Sequence, residues 1–229
     1  MRTPTKTLER KLLKSGYDFV IGVDEVGVGC LAGPVVVCAT CFAKDFYIND
    51  RLTRLGQEKF QGLKESKLLS ANQRELFAKE LLKEKKLTYA IALCYPKKID
   101  ATNIYQATRE AMRRAISKVV SYHFSVSNKF SKNQLSKIRT IVLVDGNKKI
   151  ENLEFDQQAI VKGDQKIFTI ACASIIAKVY RDKMMKRYAK QFPAYGFEQH
   201  KGYSTKTHQD ALNQYGPCPI HRRSFRLIY

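Results

Sequence analysis

Nowhere in these 229 residues does an apolar run approach the ~20 positions that a bilayer-spanning helix needs. The first 18 residues also lack the apolar core of a secretory signal. The expectation is a cytoplasmic protein with no membrane segment. The only Cys-x-x-Cys pair, Cys38-Ala39-Thr40-Cys41, lies inside an apolar, strand-like run. Cys30, Cys38, Cys41, Cys94, Cys172 and Cys218 fall in apolar surroundings without a compact framework, which points to reduced, buried thiols. Cys38 and Cys41, three apart in a strand-like run, face opposite ways and are not expected to share a zinc ion. No internal repeat or low-complexity linker interrupts the chain. Acids are scarce: 21 Asp and Glu against 41 Lys and Arg leave a formal charge of +20, spread along the whole length. That excess makes a polyanionic partner the natural reading. Apolar residues are plentiful at 44%, enough for a chain of this length to bury a sizeable core, so global disorder is excluded.

The first strong element is Phe19–Val23, a β-branched run ending in Asp24-Glu25. After a glycine cluster, Pro34 heads a Val-rich run to Phe42, which reads as a second strand antiparallel to the first. Ser70 and Gln73 form a capping-box signature for a helix carrying Leu76, Phe77 and Leu81, and a third strand fits Thr88–Tyr95. Ile104, Ala107, Ala111, Ala115 and Val119 recur at helical spacing, with Arg109, Arg113 and Arg114 on the opposite face. The polar, basic stretch 121–137 is expected to be a loop. Ile141–Val144 reads as a buried strand meeting the turn Asp145-Gly146-Asn147, and Ala159–Val161 as a short strand before Lys162-Gly163-Asp164. A helix is expected from Ile167 to about Phe192, with Ile176, Val179, Tyr180 and Met184 inward, and another from Ser204 or Thr205 to Gly216-Pro217. This alternation predicts an α/β fold with a mixed five-stranded sheet flanked by helices, followed by a mostly helical C-terminal part. The expected division is an N-terminal extension (1–17), a catalytic domain (18–192), and a C-terminal helical subdomain with a basic tail (193–229).

Asp24, Glu25, Asp145 and Asp164 share one property: each stands at or just after the end of a β-reading segment. Such ends converge on one sheet edge. One Asp there is ordinarily a turn or cap residue. Four together repel one another unless a cation sits among them, and oxygen donors suit a hard ion such as Mg²⁺ or Mn²⁺. Gly27-Val28-Gly29-Cys30-Leu31-Ala32 fits a loose dinucleotide pattern, but that motif needs a following helix, and Pro34 opens a strand instead. A phosphodiester beside the acids accounts for both signs of charge. Lys67, Lys162, Lys166, Lys178, Lys201 and the Arg222-Arg223 pair are candidate phosphate contacts. His123, His200, His208 and His221 are not spaced as a metal set and read as structural, with His200, beside Tyr203, the candidate exception.

The motifs also carry a resemblance. Gly22-Val23-Asp24-Glu25-Val26-Gly27, Leu31-Ala32-Gly33-Pro34-Val35, Glu65-Ser66-Lys67, Val144-Asp145-Gly146-Asn147, Val161-Lys162-Gly163-Asp164, His200-Lys201-Gly202-Tyr203 and His221-Arg222-x-Ser224-Phe225 stand in the order found in ribonuclease HII, the bacterial type 2 ribonuclease H, which the chain closely resembles from about residue 18 to 225. The resemblance implies a ribonuclease H-like fold and metal-dependent endonucleolytic hydrolysis of RNA in RNA–DNA hybrids and beside ribonucleotides embedded in duplex DNA. Cutting on the 5′ side would leave 3′-hydroxyl and 5′-phosphate ends. It places Asp24, Glu25, Asp145 and Asp164 on the family's catalytic, metal-binding carboxylates around two Mg²⁺ or Mn²⁺ ions. It places Gly27, Val28 and Gly29 where the 2′-hydroxyl is read, and Tyr203 at the RNA–DNA junction, with Lys67, Lys162 and Lys178 as further substrate contacts. Val28 and Cys30 stand where the family usually has Arg and Pro, and Glu65 where it usually has Asp. The sister family ribonuclease HIII shares a non-arginine glycine loop, but it has a folded N-terminal domain, for which ~17 residues are too few. A noncatalytic duplex binder on the same scaffold is the second reading. A monomer is expected, and by analogy with the wider superfamily Ser224–Tyr229 is a candidate sliding-clamp contact.

Overall fold

The protein is described here by a computed structural model covering residues 3–48, 60–126 and 138–225. Its elements in chain order are α1 (Thr7–Lys14), β1 (Phe19–Val26), β2 (Val35–Phe42), α2 (Lys44–Ile48), α3 (Ala71–Lys83), β3 (Leu87–Cys94), α4 (Pro96–Ala101), α5 (Ile104–Val126), β4 (Thr140–Asp145) and β5 (Asp156–Ile160). A 3₁₀ turn (Gly163–Gln165) follows, then α6 (Phe168–Gln191), a second 3₁₀ turn (Pro193–Tyr195), α7 (Phe197–His200) and α8 (Lys206–Tyr215). The five strands form one mixed sheet in the order β3-β2-β1-β4-β5. β1 pairs antiparallel with β2 and parallel with β4, so the sheet is an α/β ribonuclease H-like one with β1 at its centre.

Alternation along the strands builds two cores. Ile21, Val23, Val35, Val37, Val142 and Val144 face α5, whose Ala107, Ala111, Ala115 and Val119 form the expected stripe. Val20, Val36, Ile141 and Leu143 face α6, with Leu13 of α1 and Leu81 of α3 closing that side. Cys38 belongs to the second core and Cys41 to the first, on opposite faces as their spacing requires. A smaller core joins Leu31 and Ala32 to Met185, Phe197 and Leu212, and seats the C-terminal helices on the glycine loop after β1. The capping box forms as read: Ser70 Oγ accepts from Gln73 N, and Gln73 Oε1 accepts from Ser70 N. Thr205 caps α8.

Three expectations change. Residues 121–126 are helical rather than loop, because His123 packs on Phe19 at 4.5 Å between ring centroids and extends the apolar side of α5 by another turn; 127–137 lie outside the described residues. The last strand starts earlier, at Asp156, and Val161 falls outside it, exposed. Tyr180 of α6 is 40% exposed; the buried position beside it belongs to Arg181, which donates to the carbonyls of Pro34, Ala32 and Lys201. The N-terminal extension contains α1, and Thr5 exchanges backbone hydrogen bonds with Lys166 and Phe168, tying it to the start of α6.

Gly22 makes the contact between sheet and helix possible. A Cβ there would lie 2.5 Å from the backbone carbon of Thr169, in the first turn of α6. Gly22→Ala is therefore expected to push α6 off β1 and cost about 2 kcal/mol, a fall of about 4–8 °C in thermal midpoint. Circular dichroism melting checks this, and an unchanged midpoint would show that the helix and strand do not touch this closely.

Candidate active site

The register of the parallel pair positions the acids. Val23 of β1 sits beside Val144 of β4, so Asp24 and Asp145, one residue on, are neighbours at the carboxyl ends of two adjacent strands. Both face α6. Asp164 arrives from the 3₁₀ turn that leads into that helix. One carboxylate oxygen from each of Asp24, Asp145 and Asp164 lies within 4.8 Å of the others. Glu25, next along β1, is not part of this tight group, but it stays close enough to Asp145 to feel its charge.

Backbone and hydroxyl donors fix the carboxylates. Gly163 N donates to Asp145 Oδ1 at 2.7 Å, and Glu25 N to Asp24 Oδ1 at 2.7 Å. Ser174 of α6 hydrogen-bonds Asp24 and is itself 2.9 Å from the Ser66 hydroxyl. Glu65 accepts from Gln165 Nε2 and pairs loosely with Lys67 at 3.9 Å. Arg109 of α5, expected only on the solvent side of its helix, contributes positive potential at Glu25. Ser66, Ser174 and Arg109 carried no role in the sequence reading; the available signals were the Glu65-Ser66-Lys67 motif and a serine inside the otherwise apolar run 170–177.

Charge crowding is visible in the titration of the acids. Burial, then Glu25 and Asp145, hold Asp24 well above the usual carboxylate range. Burial and Asp145 push Glu25 to about 7, against the pull of Arg109 and Lys67. Asp164 rises to about 6 through burial, Asp145 and Glu65. Glu25 Oε2 is also buried with no hydrogen-bond partner. Converging oxygen donors, mutual repulsion and an orphaned carboxylate oxygen fit hard divalent cations.

These groups line an open cleft of about 600 Å³ together with Gly27, Val28, Gly29, Lys67, Lys178 and Tyr203. Gly27 takes a left-handed backbone (φ 92°), and a Cβ there would fall 2.2 Å from Arg181 Nε, so only glycine fits. A Cβ at Gly29 would meet nothing within 4 Å, which leaves that backbone open to a ligand. Lys178 forms an ion pair with Asp182 at 2.8 Å and stands 6.0 Å from the centre of the Tyr203 ring. Lys162 is exposed on a left-handed turn and is not among the residues lining the cleft. Lys166 and Lys201 donate to the carbonyls of Val161 and Glu198. Arg222 corrects the sequence reading: it is fully buried and donates to the carbonyls of Gly27, Val28 and Gly33, so it cannot meet a phosphate.

The raised acids make a signed prediction. Their folded-state pKa values lie above the ordinary 4.5 of Glu25 and 3.8 of Asp164, so without metal their contribution to stability is present below those ordinary values. It is lost as pH rises through about 6 and 7. Saturating Mg²⁺ or Mn²⁺ binds the ionised form. It should raise the thermal midpoint by about 5–10 °C at pH 8 at a hundredfold excess over Kd, and by clearly less at pH 5. Equal increments at both pH values would show that these acids are not what the ion meets.

Residues 21–228 match the family model for Ribonuclease HII. The chain is 43% identical over 219 residues to a ribonuclease HII of Caldicellulosiruptor bescii, an alignment covering 95% of this chain and 91% of that one. Its fold is similar to the ribonuclease H2 of Pyrococcus horikoshii OT3, with a TM-score of 0.65 at 25% identity, covering 91% and 94% of the two chains. A chain of the PCNA–ribonuclease HII complex of Archaeoglobus fulgidus shares the fold at a TM-score of 0.66 and 24% identity, over 91% and 95%.

Proposed function

The chain belongs to the ribonuclease HII family, and from that membership we propose how its cleft divides the work of the family's reaction. The protein is an endoribonuclease of RNA–DNA hybrids and depends on divalent metal ions. Asp24, Asp145 and Asp164, with Glu25 beside them, are the catalytic carboxylates and would hold two ions, Mg²⁺ or Mn²⁺. When bound, those ions supply the acidity that lowers the pKa of an attacking water and offset charge on the scissile phosphate. Ser174 keeps Asp24 turned into the cleft, and Gly163 N does the same for Asp145.

Lys67 and Lys178 stand on the cleft wall and would bind the phosphates flanking the cut, with Lys162 meeting the backbone farther out. The open backbone of Gly27, Val28 and Gly29 would read the 2′-hydroxyl, the atom that separates RNA from DNA. Tyr203 would pack at the RNA–DNA junction. Water would attack the phosphorus on the 5′ side of the ribonucleotide, opposite the 3′ oxygen of the preceding nucleotide; the P–O3′ bond breaks, that oxygen leaves as the 3′-hydroxyl, and the phosphate stays on the ribonucleotide as a 5′-phosphate. The same site would serve single ribonucleotides in duplex DNA, in a cytoplasmic monomer. Residues 18–192 would form the catalytic domain, and 193–229 a subdomain that brings Tyr203 to it. The tail beginning at Ser224 is the candidate clamp contact; 226–229 lie outside the described residues. Among the described residues no helix is long and apolar enough to cross a membrane.

The observation that carries this reading is the group of three carboxylates within 4.8 Å at the floor of a cleft in a +20 chain. A noncatalytic duplex binder gains nothing from acids facing phosphates. The test is cleavage of an end-labelled DNA duplex carrying one ribonucleotide, beside an RNA–DNA hybrid, with Mg²⁺, Mn²⁺ or chelator. A single metal-dependent cut 5′ to the ribonucleotide is the expected result. Cutting of the hybrid alone would overturn the single-ribonucleotide assignment and trace it to Val28; tight binding with no cut at all would overturn the enzyme.

A further inference from the structure

Three histidines lie buried behind Tyr203, and two of them link parts of the chain that the proposed function brings to the same substrate. His208 Nδ1 is 2.8 Å from the Tyr203 carbonyl oxygen. A carbonyl only accepts, so that nitrogen carries the hydrogen and Nε2 of the neutral ring is an acceptor. His221 Nε2, 2.9 Å away, must then be the donor. Its Nδ1 is left as an acceptor and takes the backbone N–H of Cys218 at 2.9 Å. Every proton in the pair is assigned by its neighbours. Burial keeps both rings uncharged, with His208 at 0% and His221 at 3% exposure, and His200 stacks on His208 at 4.3 Å between centroids.

The residue after His221 is Arg222, whose guanidinium donates to Gly27 O at 2.6 Å and Val28 O at 2.7 Å, and whose backbone N donates to Leu31 O at 2.8 Å. A continuous buried path therefore runs from Tyr203 through His208, His221 and Arg222 to the glycine loop.

We propose that the His208–His221 pair holds Tyr203 at a set distance from the Gly27–Gly29 backbone, making the two histidines positioning residues for recognition of the ribonucleotide. The inference rests on the reading that Tyr203 and the glycine loop both touch that nucleotide. Neither histidine lines the cleft. The Tyr203 carbonyl also accepts from Thr205 N, so loss of the pair frees the turn without unfolding it. A ring free to shift costs ground-state binding and selectivity more than turnover.

The experiment uses the full chain in chelator and compares Kd for an all-DNA duplex with Kd for the same duplex carrying one ribonucleotide; steady-state cleavage with Mg²⁺ follows. His208→Ala and His221→Leu should each reduce the ratio of the two affinities about tenfold, the equivalent of one buried hydrogen bond left unmade. They should raise KM by a similar factor, with kcat within about twofold. His221→Gln, whose amide N–H mimics Nε2–H, should recover the ratio to within about threefold. Leu212→Ala, in the same small core, controls for destabilisation and should leave the ratio unchanged at a matched loss of thermal midpoint.

The chain has no tryptophan, so Tyr203→Trp adds a single reporter whose anisotropy should fall when His208→Ala is introduced and not when Leu212→Ala is. An unmoved reporter, or a Leu212→Ala variant that loses selectivity as fully as His208→Ala, overturns the proposal. A wild-type chain that fails to distinguish the duplexes while the reporter still moves overturns instead the placing of Tyr203 at the ribonucleotide.

Discussion

Replacing Asp145 or Asp24 by asparagine is expected to lower the single-turnover cleavage rate by at least ~10³-fold while duplex affinity in chelator stays within about threefold. Asparagine preserves the shape of the side chain and its Oδ1, so Gly163 N and Glu25 N keep their acceptors. What disappears is one negative charge from a group of three carboxylates within 4.8 Å. Stabilisation of a cation and of the charge that develops on a phosphate amounts to several kcal/mol, and about 4 kcal/mol corresponds to ~10³ in rate. Lys67 and Lys178 on the same cleft wall keep their charge while one opposing negative charge is removed, so affinity should survive and gain slightly. The relieved repulsion should also raise the midpoint of the metal-free protein at pH 8, since burial and the neighbouring Glu25 and Asp145 disfavour the ionised form of Asp24. Loss of binding in step with cleavage would mean that the acids maintain the shape of the cleft rather than its chemistry.

Arg222→Met is expected to destabilise the protein by about 4 kcal/mol, lowering its midpoint by about 8–16 °C, and to abolish discrimination of the ribonucleotide. The side chain has no exposed surface, and burial lowers its pKa to about 10, so it is still cationic at neutral pH. Its fork donates to three carbonyls, those of Gly27, Val28 and Gly33, at 2.6–3.0 Å. Methionine fills similar space but takes the donors from Val28 O and Gly33 O and leaves Gly27 O only the longer bond from Cys30 N at 3.4 Å, at about 1–3 kcal/mol for each carbonyl bond left unmade. Arg222→Lys should rescue little, because a single ammonium cannot reproduce a planar fork. Chemical denaturation together with the paired-duplex binding assay checks both parts. A midpoint within ~3 °C of wild type would return Arg222 to the protein surface, where the sequence had placed it.

Much of the site was legible in advance because its parts obey local rules. The ends of β-reading segments named Asp24, Glu25, Asp145 and Asp164, and the ordered motifs pointed to the ribonuclease HII family that the comparisons bear out. Capping chemistry located the start of α3, and periodicity located the buried face of α5. The failures were equally specific. Polarity suggested a loop at 121–126, yet one aromatic contact with Phe19 carries the helix through it. Arg222 looked like the partner of Arg223 in a basic patch, yet the two side chains have different fates: one is fully buried, while the other belongs to a residue tied to Asp100 through its backbone.

By itself, then, the sequence determined which residue types were available: strands with alternating faces, helices with one apolar side, four carboxylates at segment ends, and a cationic excess suited to a polyanion. Those are consequences of period, composition and chain order, which need no partner to be read. The tertiary structure alone decided that Val23 pairs with Val144 and so sets Asp24 beside Asp145, that Glu25 falls outside the tight group, and that Arg181 and Arg222 turn inward to hold the glycine loop. Strand register, close approach and the pairing of buried donors with carbonyls nearly 200 residues away are properties of the packed chain, because each depends on which backbone groups are left unsatisfied once the elements have met.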